Sequence, residues 1–148
     1  MAAPNGKSKK RSASSGPPPE RPVFFVDRSL GRGVAEALRK AGVEAHRHDD
    51  LFAQNAPDEE WLREVGRRGW VVLTKDKMIR RRPLERGALL SSGVRAFVLT
   101  SAQLSGAEMA AIFIRNLPRI QRLAQKTDAP FVAKVTRGGV IELYRLEQ

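Results

Sequence analysis

The segment Gly69-Trp70-Val71-Val72-Leu73-Thr74-Lys75-Asp76-Lys77 decides the fold of this 148-residue chain. Its apolar run, residues 70–74, has the pattern of a β-strand that is buried on both faces. A strand of that kind belongs in a parallel sheet that is covered by helices on each side. A similar apolar run at 23–26, together with the segments 43–47 and 94–99, predicts three more strands of the same sheet.

Helical patterns alternate with these predicted strands. Apolar residues at helical spacing predict one helix that ends at Gly42, a second that includes Trp61, and a long one over about 109–120 that Pro118 kinks or splits. Two final apolar runs, 131–135 and 140–144, flank a glycine-bearing turn and predict a β-hairpin. The expected fold class is therefore α/β, with a mostly parallel central sheet, helices on both faces and a C-terminal hairpin.

The composition indicates a basic protein without thiol chemistry. The chain has 27 Lys and Arg against 16 Asp and Glu, for a formal net charge of +11, and no Cys. The missing Cys excludes disulfides, thiolate zinc sites and a Cys nucleophile. No apolar run approaches the roughly 18 residues that a membrane span needs, so we expect a soluble, cytoplasmic protein.

Two parts of the chain differ in character. Residues 1–21 are rich in Ser, Gly, Pro and Lys, and we expect a disordered basic arm there. Residues 22–148 form the expected domain, and they remain basic after the five cations of the arm are set aside. A domain with this charge favours polyanions, above all nucleic acid.

Acidic residues are placed where such a sheet collects ligands. Asp27 directly follows the first strand, and Asp76 follows the strand 70–74. Ligands of open parallel sheets bind at the carboxyl ends of the strands. Helical spacing puts Asp58 on the inward face of its helix, with Glu59 as the second choice there. Converging carboxylates need a counter-charge, and oxygen donors of this kind suit Mg²⁺ or Mn²⁺.

Each of these acids also has a plain structural interpretation. Asp27 could cap a helix, Asp58 could be stabilised by the positive end of its helix dipole, and Asp76 could be a turn residue. The segment His46-Arg47-His48-Asp49-Asp50 is better explained as a solvated loop end than as a transition-metal site, although Asp49 or Asp50 could assist the acidic pocket.

Basic residues surround the predicted acidic pocket. Five cations between positions 75 and 82 stand next to Asp76, where they would hold the phosphate backbone of RNA. We expect Arg28 and Arg32 to join them from the other side of the pocket. The predicted substrate-binding cations are Arg28, Arg32, Lys75, Lys77, Arg80, Arg81 and Arg82.

Three quoted segments together resemble the PIN-like domain family. They are Phe24-Phe25-Val26-Asp27, the run 58–62 (Asp-Glu-Glu-Trp-Leu) and the opening segment 69–77, and the likeness extends over about 22–146. That family includes ribonuclease toxins of the virulence-associated protein C type. The resemblance implies that Asp27, Asp58 and Asp76 are metal-binding, catalytic acids and that Thr74 supports the pocket at the substrate side.

The resemblance also implies an activity and partners. We expect a Mg²⁺- or Mn²⁺-dependent endoribonuclease that acts on RNA, with a cognate antitoxin protein; a homodimer stays open. One departure matters, because Met78 and Ile79 stand where many relatives carry a further acid. The alternative is therefore a catalytically weak or inactive PIN-like module that binds nucleic acid.

Overall fold

A six-stranded sheet forms the centre of the molecule. The computed structural model describes residues 21–101 and 103–146, so the predicted arm lies outside the described residues, apart from Arg21. The sheet has the order β2-β1-β3-β4-β5-β6; β1 to β5 pair in parallel and β6 runs antiparallel to β5. The strands are β1 (Phe24–Val26), β2 (Ala45–Arg47), β3 (Val71–Thr74), β4 (Arg95–Leu99), β5 (Phe131–Val135) and β6 (Ile141–Leu143).

Helices cover both faces of this sheet. One face packs against the first, fifth and sixth helices, and the other against the third and fourth. Side chains of successive strand residues enter opposite layers: Phe24 and Val26 pack in the first, and Phe25 in the second. The helices are α1 (Arg32–Lys40), α2 (His48–Leu51), α3 (Asp58–Arg68), α4 (Pro83–Ser92), α5 (Gly106–Arg115) and α6 (Leu117–Lys126).

The predicted fold class is confirmed, including the parallel sheet, the two helical layers and the C-terminal hairpin. The predicted long helix is split into α5 and α6 at the buried Asn116, whose Nδ2 donates to the carbonyl of Ile112 at 2.8 Å. Pro118 stands in the first turn of α6, where its missing N–H costs no hydrogen bond. No helix within the described ranges is long and apolar enough to span a membrane.

The interpretation of segment 46–50 as a solvated loop end is wrong for His48. This residue begins α2 and is buried against the rings of Phe25, Phe52 and Trp61. His46 stacks on Trp70 with ring centroids 4.5 Å apart. Local sequence cannot reveal this burial, because Phe25 and Trp61 come from β1 and α3.

Helices α3 and α4 approach each other closely at Gly66. A Cβ atom there would lie 2.5 Å from the carbonyl oxygen of Ser92. We expect Gly66→Ala to lower the free energy of unfolding by about 1–3 kcal/mol, because the backbone of α4 must move away. Urea denaturation measures the effect. Gly87→Ala is the control: a Cβ at Gly87 meets nothing within 4 Å, so the helix should gain up to about 1 kcal/mol. Equal effects of the two substitutions would contradict the close packing.

Candidate active site

Asp27 and Thr74 meet at the carboxyl edge of the sheet. Asp27 follows β1, Thr74 ends the neighbouring β3, and the register that pairs Val26 with Leu73 brings them level. The Thr74 hydroxyl donates to Asp27 Oδ2 at 2.6 Å. Thr74 is fully buried, so its hydroxyl holds the carboxylate in place and its side chain offers no surface to a substrate.

The same hydroxyl connects Asp27 to Asp76. The backbone N–H of Asp76 donates to Thr74 Oγ1 at 3.0 Å. Ser29 adds a second link, because its hydroxyl donates to Asp27 Oδ2 at 2.8 Å and accepts from the backbone N–H of Lys75 at 3.0 Å. The two chain segments that follow β1 and β3 are thus joined by hydrogen bonds.

Asp27 also caps a short 3-10 helix, Arg28–Leu30, by accepting from the backbone N–H of Arg28 at 2.8 Å. The capping interpretation is therefore realised in part. It does not remove the charge of the carboxylate, which stays at the sheet edge beside Thr74.

Asp58 opens α3 and faces the interior side of that helix. Its Oδ1 accepts from the indole Nε1 of Trp61 at 2.9 Å, and Trp61 is buried. Pro57 is the N-cap residue of α3. The indole holds the Asp58 carboxylate on the helix face that the spacing predicted.

Arg82 joins the acids of three elements. Its Nη2 donates to Asp76 Oδ2 and lies 3.9 Å from Asp58 Oδ2, while its Nε lies 3.4 Å from Glu85 Oε2. The hydrogen bond to Asp76 raises the pKa of Arg82, so the guanidinium stays charged at every pH of interest. Arg82 was predicted to contact RNA at the rim of the pocket; in this structure its guanidinium lies among the carboxylates.

Glu85 is the acid that sequence reasoning missed. Met78 and Ile79 stand where a further acid was expected after Asp76, and Glu85 is the next acid along the chain. Glu85 lies in the first turn of α4, and its side chain is only 15% exposed. Pro83, a helix-starting residue, was the available signal, because it places Glu85 one turn from Arg82.

Other predicted acids lie elsewhere. Glu59 lines a groove between α3 and α4. Asp49 pairs with Arg28 and Arg47, and Asp50 pairs with Arg47 and with Arg39 of α1. These pairs use the two Asp residues to hold α2, so Asp49 and Asp50 stand apart from the acidic cluster, which consists of Asp27, Asp58, Asp76 and Glu85.

The predicted RNA-contacting cations divide into two groups. Arg28 is held by the carbonyl of Gln54, to which its Nη1 donates at 2.8 Å, and Arg80 lies over the ring of Tyr144. These contacts hold the side chains of Arg28 and Arg80 against neighbouring parts of the protein. Lys75 is half-buried, whereas Arg32, Lys77 and Arg81 are exposed.

The donor set fits a hard divalent cation in its chemistry. Asp27, Asp58, Asp76 and Glu85 offer only carboxylate oxygens, the ligands that Mg²⁺ and Mn²⁺ prefer. Within the described residues, no three acidic or imidazole side chains are grouped closely enough to hold an ion. The positive charge among these carboxylates is that of Arg82.

Comparison with known proteins identifies the class. A family described as "PIN like domain" matches residues 22–101, which contain β1 to β4 and all four acids. The chain belongs to the PIN-like domain family, as the three sequence segments predicted. It is 32% identical over 125 residues to the Mycobacterium tuberculosis protein named "Putative ribonuclease VapC45", a match that covers 81% of this chain and 90% of the relative. No solved structure matches.

Proposed function

We propose that this protein is a metal-dependent endoribonuclease and the toxin of a bacterial type II toxin–antitoxin pair. Asp27, Asp58 and Asp76 are its catalytic, metal-binding acids, with Glu85 as a fourth carboxylate in place of the acid that the sequence lacks after Asp76. Membership of the PIN-like family and similarity to a protein named as a ribonuclease support this proposal.

One structural observation carries the proposal. Acids that are far apart in the sequence are linked at one edge of the sheet: Thr74 joins Asp27 to Asp76, and Arg82 joins Asp76 to Asp58. Hydrophobic packing alone does not require these links, which bring carboxylates from separate chain segments to one side of the sheet in a chain of net charge +11. A nuclease of this type needs carboxylates that bind the cation and a basic surface that binds phosphate.

The residues of this chain have separable tasks in the proposed reaction. The four carboxylates would hold Mg²⁺ or Mn²⁺, and the bound ion would supply an activated water and stabilise charge on the phosphate. Thr74 and Ser29 fix the direction of the Asp27 carboxylate through their hydroxyls. The exposed cations Lys77 and Arg81 follow Asp76 in the chain and would retain the RNA backbone.

RNA cleavage by the purified protein tests the proposal. Unstructured and hairpin RNAs are incubated with the protein and Mn²⁺, Mg²⁺ or EDTA, and the products are resolved on a sequencing gel. We expect cleavage at internal phosphodiester bonds that needs the metal. The absence of cleavage in every metal would remove the endoribonuclease proposal.

The antitoxin part of the proposal has its own test. The protein is expressed in a bacterial cytoplasm, where RNA is available, alone and with the product of its neighbouring gene. Growth arrest that the second product relieves, together with co-purification of the two proteins, is the expected result. Growth arrest that the second product does not relieve would contradict the antitoxin proposal and leave the nuclease proposal standing.

A second candidate function is an RNA-binding module without catalysis. The observation in its favour is that Arg82 already neutralises charge at Asp76 and Asp58. In the cleavage assay this alternative predicts RNA binding in gel-shift experiments and intact RNA in all metals.

Neutralising two exposed cations tests the RNA surface. In an Asp76→Asn background, which avoids cleavage, the further double substitution Lys77→Gln/Arg81→Gln should weaken binding to single-stranded RNA. The slope of log K against log salt should fall by about 1.4, since each lost phosphate contact on a single strand contributes about 0.7. Fluorescence anisotropy at several salt concentrations measures both quantities.

The matched control is Arg122→Gln/Lys126→Gln, which removes the same charge from α6. Arg122 lines a groove with Val23 and Val43, which precede β1 and β2, so it lies towards the opposite edge of the sheet. An equal loss of slope in both double variants would show that only net charge matters.

A further inference from the structure

Arg82 lies in a position that substrate binding does not explain. Its guanidinium is shared among Asp76 in the turn after β3, Asp58 at the start of α3 and Glu85 in α4. The backbone explains the reach: Arg82 is the extended N-cap residue of α4, and Pro83 fixes the helix start directly after it. A planar guanidinium has enough donors to serve several carboxylates at once.

We propose that Arg82 is an intramolecular counter-ion that competes with the divalent cation, so that metal binds only after this side chain leaves Asp76 and Asp58. This inference rests on the proposed metal-dependent function and adds a control step to it. The protein would be held in a metal-free resting state by its own side chain.

The hydrogen bonds of Asp76 explain why the two cations exclude each other. Asp76 Oδ1 accepts from the backbone N–H of Met78 at 3.0 Å, and Oδ2 accepts from Arg82. The oxygen that is free of backbone contacts is thus the one that Arg82 uses. A divalent ion bound there would also be repelled by the adjacent guanidinium charge.

Arg82 is also able to leave. Its side chain is 39% exposed, so it can turn into solvent without opening the core. Ion pairs with such exposure contribute little to stability, commonly 1 kcal/mol or less. The apparent affinity for metal is then the intrinsic affinity reduced by the fraction of molecules in which Arg82 has moved away.

Isothermal titration of the full chain with Mn²⁺, without RNA, tests the competition. Arg82→Gln should bind Mn²⁺ about fivefold more tightly than the wild type, because an exposed ion pair no longer has to be released. The matched control is Arg81→Gln, which removes the same charge from an exposed neighbour and should change the affinity by less than about twofold. Equal affinities of wild type and Arg82→Gln, or equal gains in both variants, would overturn the inference.

Thermal unfolding gives a second readout that does not depend on activity. Without metal, Arg82→Gln should melt at a lower temperature than the wild type, because its carboxylates lose their counter-charge. Mn²⁺ should raise the melting temperature of Arg82→Gln more than that of the wild type. A smaller or equal rise would contradict the competition.

Arg82→Lys keeps the test decisive if Arg82→Gln does not fold. Lysine retains the charge but loses the forked geometry, so this variant should bind Mn²⁺ more tightly than the wild type and less tightly than Arg82→Gln. An affinity equal to that of the wild type would reject the inference. The nuclease proposal is tested separately, by RNA cleavage in the wild type. If the wild type cleaves RNA but all Arg82 variants keep its Mn²⁺ affinity, the competition by Arg82 is rejected and the nuclease proposal is not.

Discussion

Asp76→Asn should abolish metal-dependent RNA cleavage while the protein stays folded. We expect a fall of at least about a thousandfold, since removing the charge weakens both the binding of the cation and the stabilisation that the cation gives to the phosphate. The measurement is the initial rate of cleavage of a labelled RNA in Mn²⁺. Asp76 is linked to Asp27 through Thr74, and to Asp58 and Glu85 through Arg82.

The structure indicates why folding should survive this change. Asparagine has the shape of aspartate, and its carbonyl oxygen can accept the N–H of Met78 that Asp76 Oδ1 accepts. The loss of the ion pair with Arg82 should cost about 1 kcal/mol or less. Thermal unfolding of the variant should therefore remain cooperative.

Asp50→Asn is the matched control for this experiment. It makes the same change of atoms and charge at a residue that pairs with Arg39 and Arg47 outside the cluster. Its cleavage rate should stay within about twofold of the wild type. Cleavage retained in Asp76→Asn, or lost to the same degree in Asp50→Asn, would contradict the assigned role of Asp76.

Thr74→Val should lower kcat by about 10- to 100-fold with little change in KM. Thr74 is a positioning residue: its buried hydroxyl donates to Asp27 and accepts the backbone N–H of Asp76. Valine fills the same volume without the hydroxyl, so both acids lose their common anchor. The free energy of unfolding should fall by about 1–3 kcal/mol, because the Asp76 N–H loses its partner.

Thr74→Ser separates positioning from stability. Serine keeps the hydroxyl and removes only the methyl group, so it should restore most of kcat even though it creates a small cavity. Steady-state kinetics and urea denaturation of both variants measure the two effects. If Thr74→Ser were as slow as Thr74→Val, packing rather than the hydroxyl would be responsible.

The sequence predicted those parts of the site that follow from strand periodicity. The apolar runs at 23–26 and 70–74 define buried parallel strands, and the acids directly after such strands must lie at one edge of the sheet. The position of Asp58 followed from helical spacing in the same way. These inferences need only local pattern and one rule of sheet architecture.

The remaining parts depend on contacts between elements. Nothing in a run of basic residues distinguishes Arg82, which reaches into the cluster, from Arg81, which is exposed. Arg28 was expected to face RNA, but the carbonyl of Gln54 and the carboxylate of Asp49 hold it. Long flexible side chains are directed by partners that are distant in sequence, so their contacts cannot be inferred from local pattern.

The central claim is that the carboxylates at this edge of the sheet form one metal-binding site of a nuclease. The most direct measurement is anomalous X-ray diffraction from crystals of the full chain grown with Mn²⁺. We predict a manganese peak at coordination distance, about 2.0–2.3 Å, from oxygens of Asp76 and at least one other acid of the cluster. A protein that cleaves RNA in Mn²⁺ but shows no peak there, or a peak only at other residues, would contradict the account.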